Sequence, residues 1–244
     1  MIAIQTKNLT KKFDDKIAVD SLNLSIEQGE LFTLLGVNGA GKTTTIKMLT
    51  CLSTPTTGDA LILGNSIVSN PYAVKKQINV LPQETAVAPN LSVKENLELI
   101  AQIYGFHKTT IDIKVEQMLR TFSLMEVSKV KAKTLSGGMQ RRLSIAMALI
   151  TNPKILFLDE PTLGLDVIAR RELWSTIEKL KGNMTIILTT HYMEEAEALS
   201  DRIGTMAKGK LKAVGTAAEL KESTNTQTLE DAFVSLATKE EVLR

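Results

Sequence analysis

Gly36-Val37-Asn38-Gly39-Ala40-Gly41-Lys42-Thr43 is the stretch that decides the fold. The apolar run Leu31-Phe32-Thr33-Leu34-Leu35 before it reads as a buried strand, and a helix is expected from about Lys42. The pattern G-x-x-x-x-G-K-[ST] therefore stands in the strand, loop and helix context that a phosphate cradle requires. Glycines let backbone N–H groups wrap an anion, Lys42 brings a mobile positive charge to its outer oxygens, and the hydroxyl of Thr43, followed by Thr44, suits a hard divalent cation such as Mg²⁺.

Working outward, Leu22, Leu24 and Ile26 alternate as a strand ahead of Gly29, and Met1 to Lys7 alternates as a first strand. Further short apolar strands are expected at 61–63, 78–81, 155–158 and 185–188, separated by helical segments, which implies an α/β fold with a mostly parallel sheet flanked by helices. Between Asn90 and Thr134 strand signals vanish. Val93 to Tyr104 and Ile111 to Leu124 have helical spacing there, with Ile111, Val115, Met118, Leu119 and Phe122 on one side, so a helical insert is expected. After Gly209 come a short strand, a helix near Ala217 to Lys221 and a polar linker from Glu222 to Gln227. Leu229, Ala232, Phe233 and Leu236 then form an i, i+3, i+4, i+7 stripe that must dock on something.

Two further stretches bear on chemistry. Ile155-Leu156-Phe157-Leu158-Asp159-Glu160 is an apolar strand ending in two carboxylates, at the strand end where open α/β sheets bind ligands. Asp159 can hold a divalent cation through its water shell, and Glu160 can polarise an attacking water. In Leu135-Ser136-Gly137-Gly138-Met139-Gln140, Ser136 reads as the N-cap of a helix running to about Ile150, so the amides near Gly137 and Gly138 form a second anion-binding helix start.

Composition narrows the field. With 29 Lys+Arg against 27 Asp+Glu, the net charge of +2 announces no nucleic-acid partner. The single Cys51 excludes an internal disulfide and a cysteine-built zinc site, which fits a reducing compartment, and is read as a buried small apolar residue. His107 lies in a polar turn without a metal-binding pattern around it, and Trp174 is expected to anchor a helix by packing. The N-terminus lacks the apolar core of a signal peptide, and no apolar run approaches the roughly 18 to 20 residues that span a bilayer, so the chain is expected in the cytosol.

In order and separation, Gly36 to Thr43, Gln83, Leu135 to Gln140, Ile155 to Glu160, Gly164-Leu165-Asp166 and His191 resemble the nucleotide-binding subunit of an ATP-binding cassette transporter. The resemblance covers essentially the whole chain. It implies a P-loop ATPase core with an N-terminal antiparallel β subdomain and an inserted α-helical subdomain at about 90–134, the ATPase domain spanning 1–222 and a linker and helix 223–244. It implies ATP and Mg²⁺ as cofactors, with Phe13 stacking on adenine and Gly36, Val37, Asn38, Gly39, Ala40, Gly41, Lys42, Thr43 and Thr44 around the phosphates. Gln83 would touch Mg²⁺ or the attacking water, Asp159 and Thr43 would serve the metal, Glu160 would act as base, and His191 would contact the γ-phosphate. Ser136, Gly137, Gly138 and Gln140, with Asp166 at the dimer seam, would serve the nucleotide of a second copy or a paired cassette subunit.

Met139, Arg141 and Arg142, Pro161 to Asp166, and Leu229-Glu230-Asp231-Ala232-Phe233 resemble the daunorubicin-resistance and sodium-extrusion type of bacterial exporter ATPases, which work with a separate integral-membrane permease. The expected setting is the inner face of the cell membrane. Leu91, Val93 and Leu97 read equally as anchors for a permease helix or as subdomain core. Lys129, Lys131 and Lys133 read as a solvated run. An importer ATPase, a cassette ATPase of translation or DNA metabolism, and a monomeric P-loop kinase are the alternatives; the kinase leaves Leu135 to Gln140 without a use.

Overall fold

The computed structural model describes residues 1–84 and 86–238. Strand β1 (Ile2–Phe13) opens an antiparallel sheet with β2 (Lys16–Leu22) and β3 (Ser25–Glu27). It is longer than the Met1 to Lys7 run expected. Register shifts between Leu9, Lys11 and Lys12 break the alternation that would have extended the reading. Buried β4 (Leu31–Leu35) leads through the glycine loop into α1 (Lys42–Leu49), after which β5 (Thr57–Ile62) and β6 (Asn65–Ser66) complete the first sheet in the order β2-β1-β5-β6, with β3 beside β1.

Helix α2 (Pro71–Lys75) brings the chain to β7 (Ile78–Leu81), and the helical insert follows as α3 (Val93–Ile103) and α4 (Lys108–Thr121), ahead of α5 (Gly137–Leu149). A capping box starts α3: the Glu95 N–H donates to Ser92 Oγ and the Ser92 N–H donates to Glu95 Oε2. Val93 and Leu97 are fully buried beside Ile111, Val115, Leu119 and Phe122. They are subdomain core, not exposed anchors, because their spacing turns them toward α4; Leu99, Ile103 and Tyr104 are the exposed apolar residues of this segment. Lys129, Lys131 and Lys133 are exposed, as their spacing suggested.

The main sheet is finished by β8 (Ile155–Asp159), then α6 (Val167–Glu178), β9 (Thr185–Thr190), α7 (Met193–Leu199), β10 (Arg202–Ala207) and β11 (Lys210–Gly215). Its order is β11-β10-β4-β9-β8-β7, parallel except for the β10–β11 hairpin. β4, β8 and β9 are buried along their whole length, which explains their largely apolar composition, broken only by Thr33, Asp159 and the threonines of β9. Their C-terminal ends lie side by side, bringing Leu35, Asp159 and Thr190 to one edge.

At the C-terminal end, α8 (Ala217–Thr224) runs three residues beyond the expected stop at Lys221, to the left-handed cap Asn225 (φ 54°). Helix α9 (Leu229–Thr238) docks Leu229 and Phe233 in a cluster with Leu35, Ala196, Ile203 and Leu220. That cluster is the partner its apolar stripe demanded. Residues 239–244 of the expected tail lie outside the described residues.

Candidate nucleotide site

The glycine loop closes around a framework that leaves no room for side chains at two positions. A Cβ on Gly36 would stand 2.6 Å from the carbonyl of Met206, and one on Gly41 would stand 2.5 Å from that of Ala18. Gly41 also adopts φ 104° as the N-cap of α1, a conformation that L side chains rarely take. Lys42, first residue of the helix, is 4% exposed, and its Nζ donates to the carbonyl of Gly36 at 2.7 Å.

The same ammonium lies 3.2 Å from Glu160 Oε1, while His191 Nδ1 lies 2.7 Å from Glu160 Oε2. Glu160 is thus held between the loop of β4 and the residue that follows β9. Its backbone sits at φ 47°, a left-handed conformation costing of order 1–3 kcal/mol for a non-glycine residue. Its N–H donates to both the carbonyl and the hydroxyl oxygen of Thr189, each at 3.1 Å, which fixes the turn from the neighbouring strand.

Beside it, Asp159 Oδ1 accepts from Thr43 Oγ1 at 3.2 Å and from the Thr189 hydroxyl. A hydroxyl and a buried carboxylate facing each other beside a phosphate loop form the hard-oxygen donor set a divalent cation requires. Thr43 borders an open cavity of about 560 Å³, and Asp159 lies just behind it. Asn38, Gly39, Ala40, Gly41, Lys42, Thr43 and Thr44 line it, with Gln83, Glu160 and His191 opposite, and Phe13 forms part of its wall. Phe13 is 50% exposed and has Lys11 Nζ 5.0 Å from its ring centroid, so it is a surface platform and not a core residue. Gly36 is buried at the loop's root, and Val37 points outward at 54% exposure.

The second group of expected residues lies elsewhere. Ser136 caps α5, its Oγ accepting from the Met139 N–H at 3.3 Å; Ser136 and Gly137 are exposed and none of Ser136, Gly137 or Gly138 borders the Lys42 cavity. Gly138 is needed for packing too, since a Cβ there would stand 2.9 Å from that of Ala169 on α6. Asp166 caps α6, accepting from the N–H groups of Ile168 and Ala169, both at 2.9 Å. The Gln140 amide turns back into its own chain, donating to the carbonyls of Ala132 and Leu135.

Sequence reasoning did not single out Lys16, Ala18 and Leu163, which also line the cavity. Lys16 arrives there because it pairs with Phe13 across the β1–β2 turn, a register that composition does not reveal. Thr189 and Arg141 were likewise not assigned to the site, although both hold the backbone at Glu160. Cys51 is half-buried at φ 56°, just past the end of α1, and is not a core residue; burial raises its thiol pKa. Trp174 is half-buried and donates from Nε1 to Glu195 Oε1 at 3.0 Å, so it serves as a hydrogen-bond donor as well as a packing anchor.

Comparison with known proteins fits this geometry. Residues 19–163 match the family described as ABC transporter. A phospholipid-transporting ATPase, ABCA3, of Homo sapiens is 44% identical over 90% of this chain, which covers 13% of that protein. A probable multidrug ABC transporter ATP-binding protein, YbhF, of Escherichia coli is 40% identical over 96% of this chain and 41% of its own length. The chain thus spans well under half the length of these relatives. Among solved structures, an ATP binding subunit of an ABC transporter superposes with a TM-score of 0.84 at 27% identity, covering 96% of this chain and 99% of that one. CbiO1 of Clostridium perfringens, part of the ABC transporter complex cbiONQ, superposes with a TM-score of 0.83 at 25% identity over 91% of each chain. With a phosphate loop whose lysine reaches the carboxylate just past β8, and with a family match over more than half its length, the chain belongs to the ABC transporter family, as an ATP-binding domain.

Proposed function

We propose that this chain binds ATP and Mg²⁺ in the Lys42 cavity, closes head to tail with a second copy or a paired cassette subunit around two nucleotides, and hydrolyses them to drive a separate membrane permease, in the direction of export. The observation that carries this reading is the separation of the two phosphate-binding constellations. Lys42, Glu160 and His191 meet in one cavity, whereas the exposed helix start at Ser136 borders none of it. A head-to-tail pair uses both and closes at two subunits.

On nucleotide entry Lys42 exchanges its contact with Glu160 for the outer phosphate oxygens, which releases Oε1 to accept a proton from the attacking water. That water forms the new bond to the γ-phosphorus as the bond from the γ-phosphorus to the β,γ-bridging oxygen breaks, and the electron pair leaves on ADP. His191, already against Oε2, holds the carboxylate in line and presents its ring toward the departing phosphate. Thr43, Asp159 and Gln83 would hold the divalent cation, which offsets charge on the outer phosphates. Losing the γ-phosphate removes contacts that favour the closed pair, so the pair opens.

Direction and setting rest on likeness. Relatives named for multidrug and phospholipid transport favour export, and no helix among the described residues is long and apolar enough to cross a membrane, which supports a peripheral place at the inner face of the cell membrane beside a permease. Residues 1–222 would form the ATPase unit and 223–244 the appended segment. The test is Glu160→Gln. Loss of base assistance should slow turnover by roughly 10² to 10⁴, about 3 to 5 kcal/mol in barrier, while ATP binding persists and size exclusion in ATP shows a stable dimer. A monomer with undiminished turnover would refute the role.

A further inference from the structure

Arg141, one turn into α5, is 3% exposed, yet it faces no carboxylate at hydrogen-bonding distance among the described residues; its five hydrogen bonds all go to backbone carbonyls. Nε donates to Pro161 O at 2.7 Å, and Nη2 donates to Asp159 O at 3.2 Å and Glu160 O at 3.3 Å. Nη1 donates to Pro82 O at 2.8 Å and Gln83 O at 3.2 Å. Burying a guanidinium is costly unless every nitrogen is satisfied, and here all three are used on two short segments distant in sequence.

Those segments carry the groups assigned to hydrolysis. Three of the carbonyls bracket Glu160, whose left-handed backbone needs outside support, and two belong to the turn that presents Gln83 to the cavity. The other end of the lever is the helix itself. Ser136 is the N-cap of α5, and five residues at 1.5 Å per residue place it only about 7.5 Å along the axis from Arg141. Gly138 against Ala169 locks the same turn to α6. A displacement of this helix start therefore moves the guanidinium, and the guanidinium moves both turns.

Resting on the shared-site reading above, we propose that Arg141 is a positioning residue that couples the two nucleotide sites: engagement of the partner's nucleotide at Ser136 to Gly138 is relayed through Arg141 to the Glu160 and Gln83 that act on this chain's own nucleotide. A planar fork reaches both segments at once; an ammonium does not.

The test compares the purified wild-type chain with Arg141→Lys and Arg141→Gln, measuring ATPase rate against ATP concentration, equilibrium ATP binding and thermal melting. The wild type should show cooperative turnover with a Hill coefficient approaching about 2, the number of sites. In either folded variant the coefficient should fall to about 1 and kcat at least about tenfold, with ATP affinity within about threefold, because the Lys42 loop is untouched. A folded variant that keeps its Hill coefficient, or whose ATP binding weakens in step with kcat, would overturn the coupling. A wild type that hydrolyses ATP without cooperativity would do the same, whereas a wild type without ATPase activity would instead refute the underlying function. Should both variants fail to fold, hydrogen exchange on the Arg141 chain decides: amides at 83–84 and 159–160 should gain protection when ATP pairs the Glu160→Gln protein, and unchanged exchange there contradicts the relay.

Discussion

Glu195, in the first turn of α7 and fully buried, shows how one side chain joins the elements around the site. Its Oε1 accepts from Trp174 Nε1, while Oε2 and the buried Thr162 Oγ1 make no hydrogen bond of good geometry, although the hydroxyls of Thr162 and Thr190 lie close enough to oppose the upward shift that burial imposes on its pKa. A proton on Oε2 shared with Thr162 would satisfy both orphaned oxygens. Because the folded pKa is raised, Glu195's contribution is fully present below the unfolded value of about 4.3 and is lost as pH climbs through the folded pKa. Glu195→Gln, whose amide can accept from Trp174 and donate to Thr162, should match the wild type below about pH 4 and be the more stable of the two at pH 8. Urea melts across pH read this directly; a variant less stable at pH 8 than the wild type would mean that the ionised carboxylate, beside Arg170, is the form the fold keeps. Arg141 belongs to the same neighbourhood. Burial lowers its pKa to about 10 against the opposing pull of Asp159 and Glu195.

At the scale of elements, the docking of α9 is the clearest case of a pattern finding its partner. Phe233 and Leu229 enter a cluster with Leu35, Ala196 and Ile203, and Lys221 on α8 pairs with Glu197 on α7 at 2.7 Å. Phe233→Ala should cost about 3 kcal/mol and act locally, so hydrogen exchange should accelerate in α8 and α9 while β4 and β8 stay protected. Loss of protection throughout the main sheet would show the tail to be part of its cooperative unit. What the sequence made legible here follows burial. β8 and β9, covered on both faces, announced themselves as apolar runs and were misplaced by only a residue or two. The β1–β2 hairpin was half-hidden by its bulges and exposed lysines. Val93 and Leu97 were ambiguous because helical spacing shows that a face is apolar, not what covers it. Arg141 was noticed only as part of the exporter-type signature; its structural role was not legible, because only the folded turns of Gln83 and Glu160 supply the carbonyls that bury it.

For the whole molecule, the phosphate loop and the carboxylates were legible because their spacing is set by chemistry at one sheet edge, whereas His191 was reached only through the family resemblance. The proposed pairing of two copies rests on residues that one copy leaves unused, the exposed helix start at Ser136 and Gly137. The central claim is that the Ser136 helix start of one chain faces the Asn38 to Lys42 loop of another across a shared nucleotide. It is tested most directly by mixing two single-cysteine proteins, Ser136→Cys and Asn38→Cys, each also carrying Cys51→Ser and Glu160→Gln, and treating them with a short thiol-to-thiol cross-linker. The account predicts a cross-linked heterodimer that forms with ATP and Mg²⁺ and is absent without nucleotide. A failure to cross-link in ATP, or a band of equal strength without nucleotide, would contradict it.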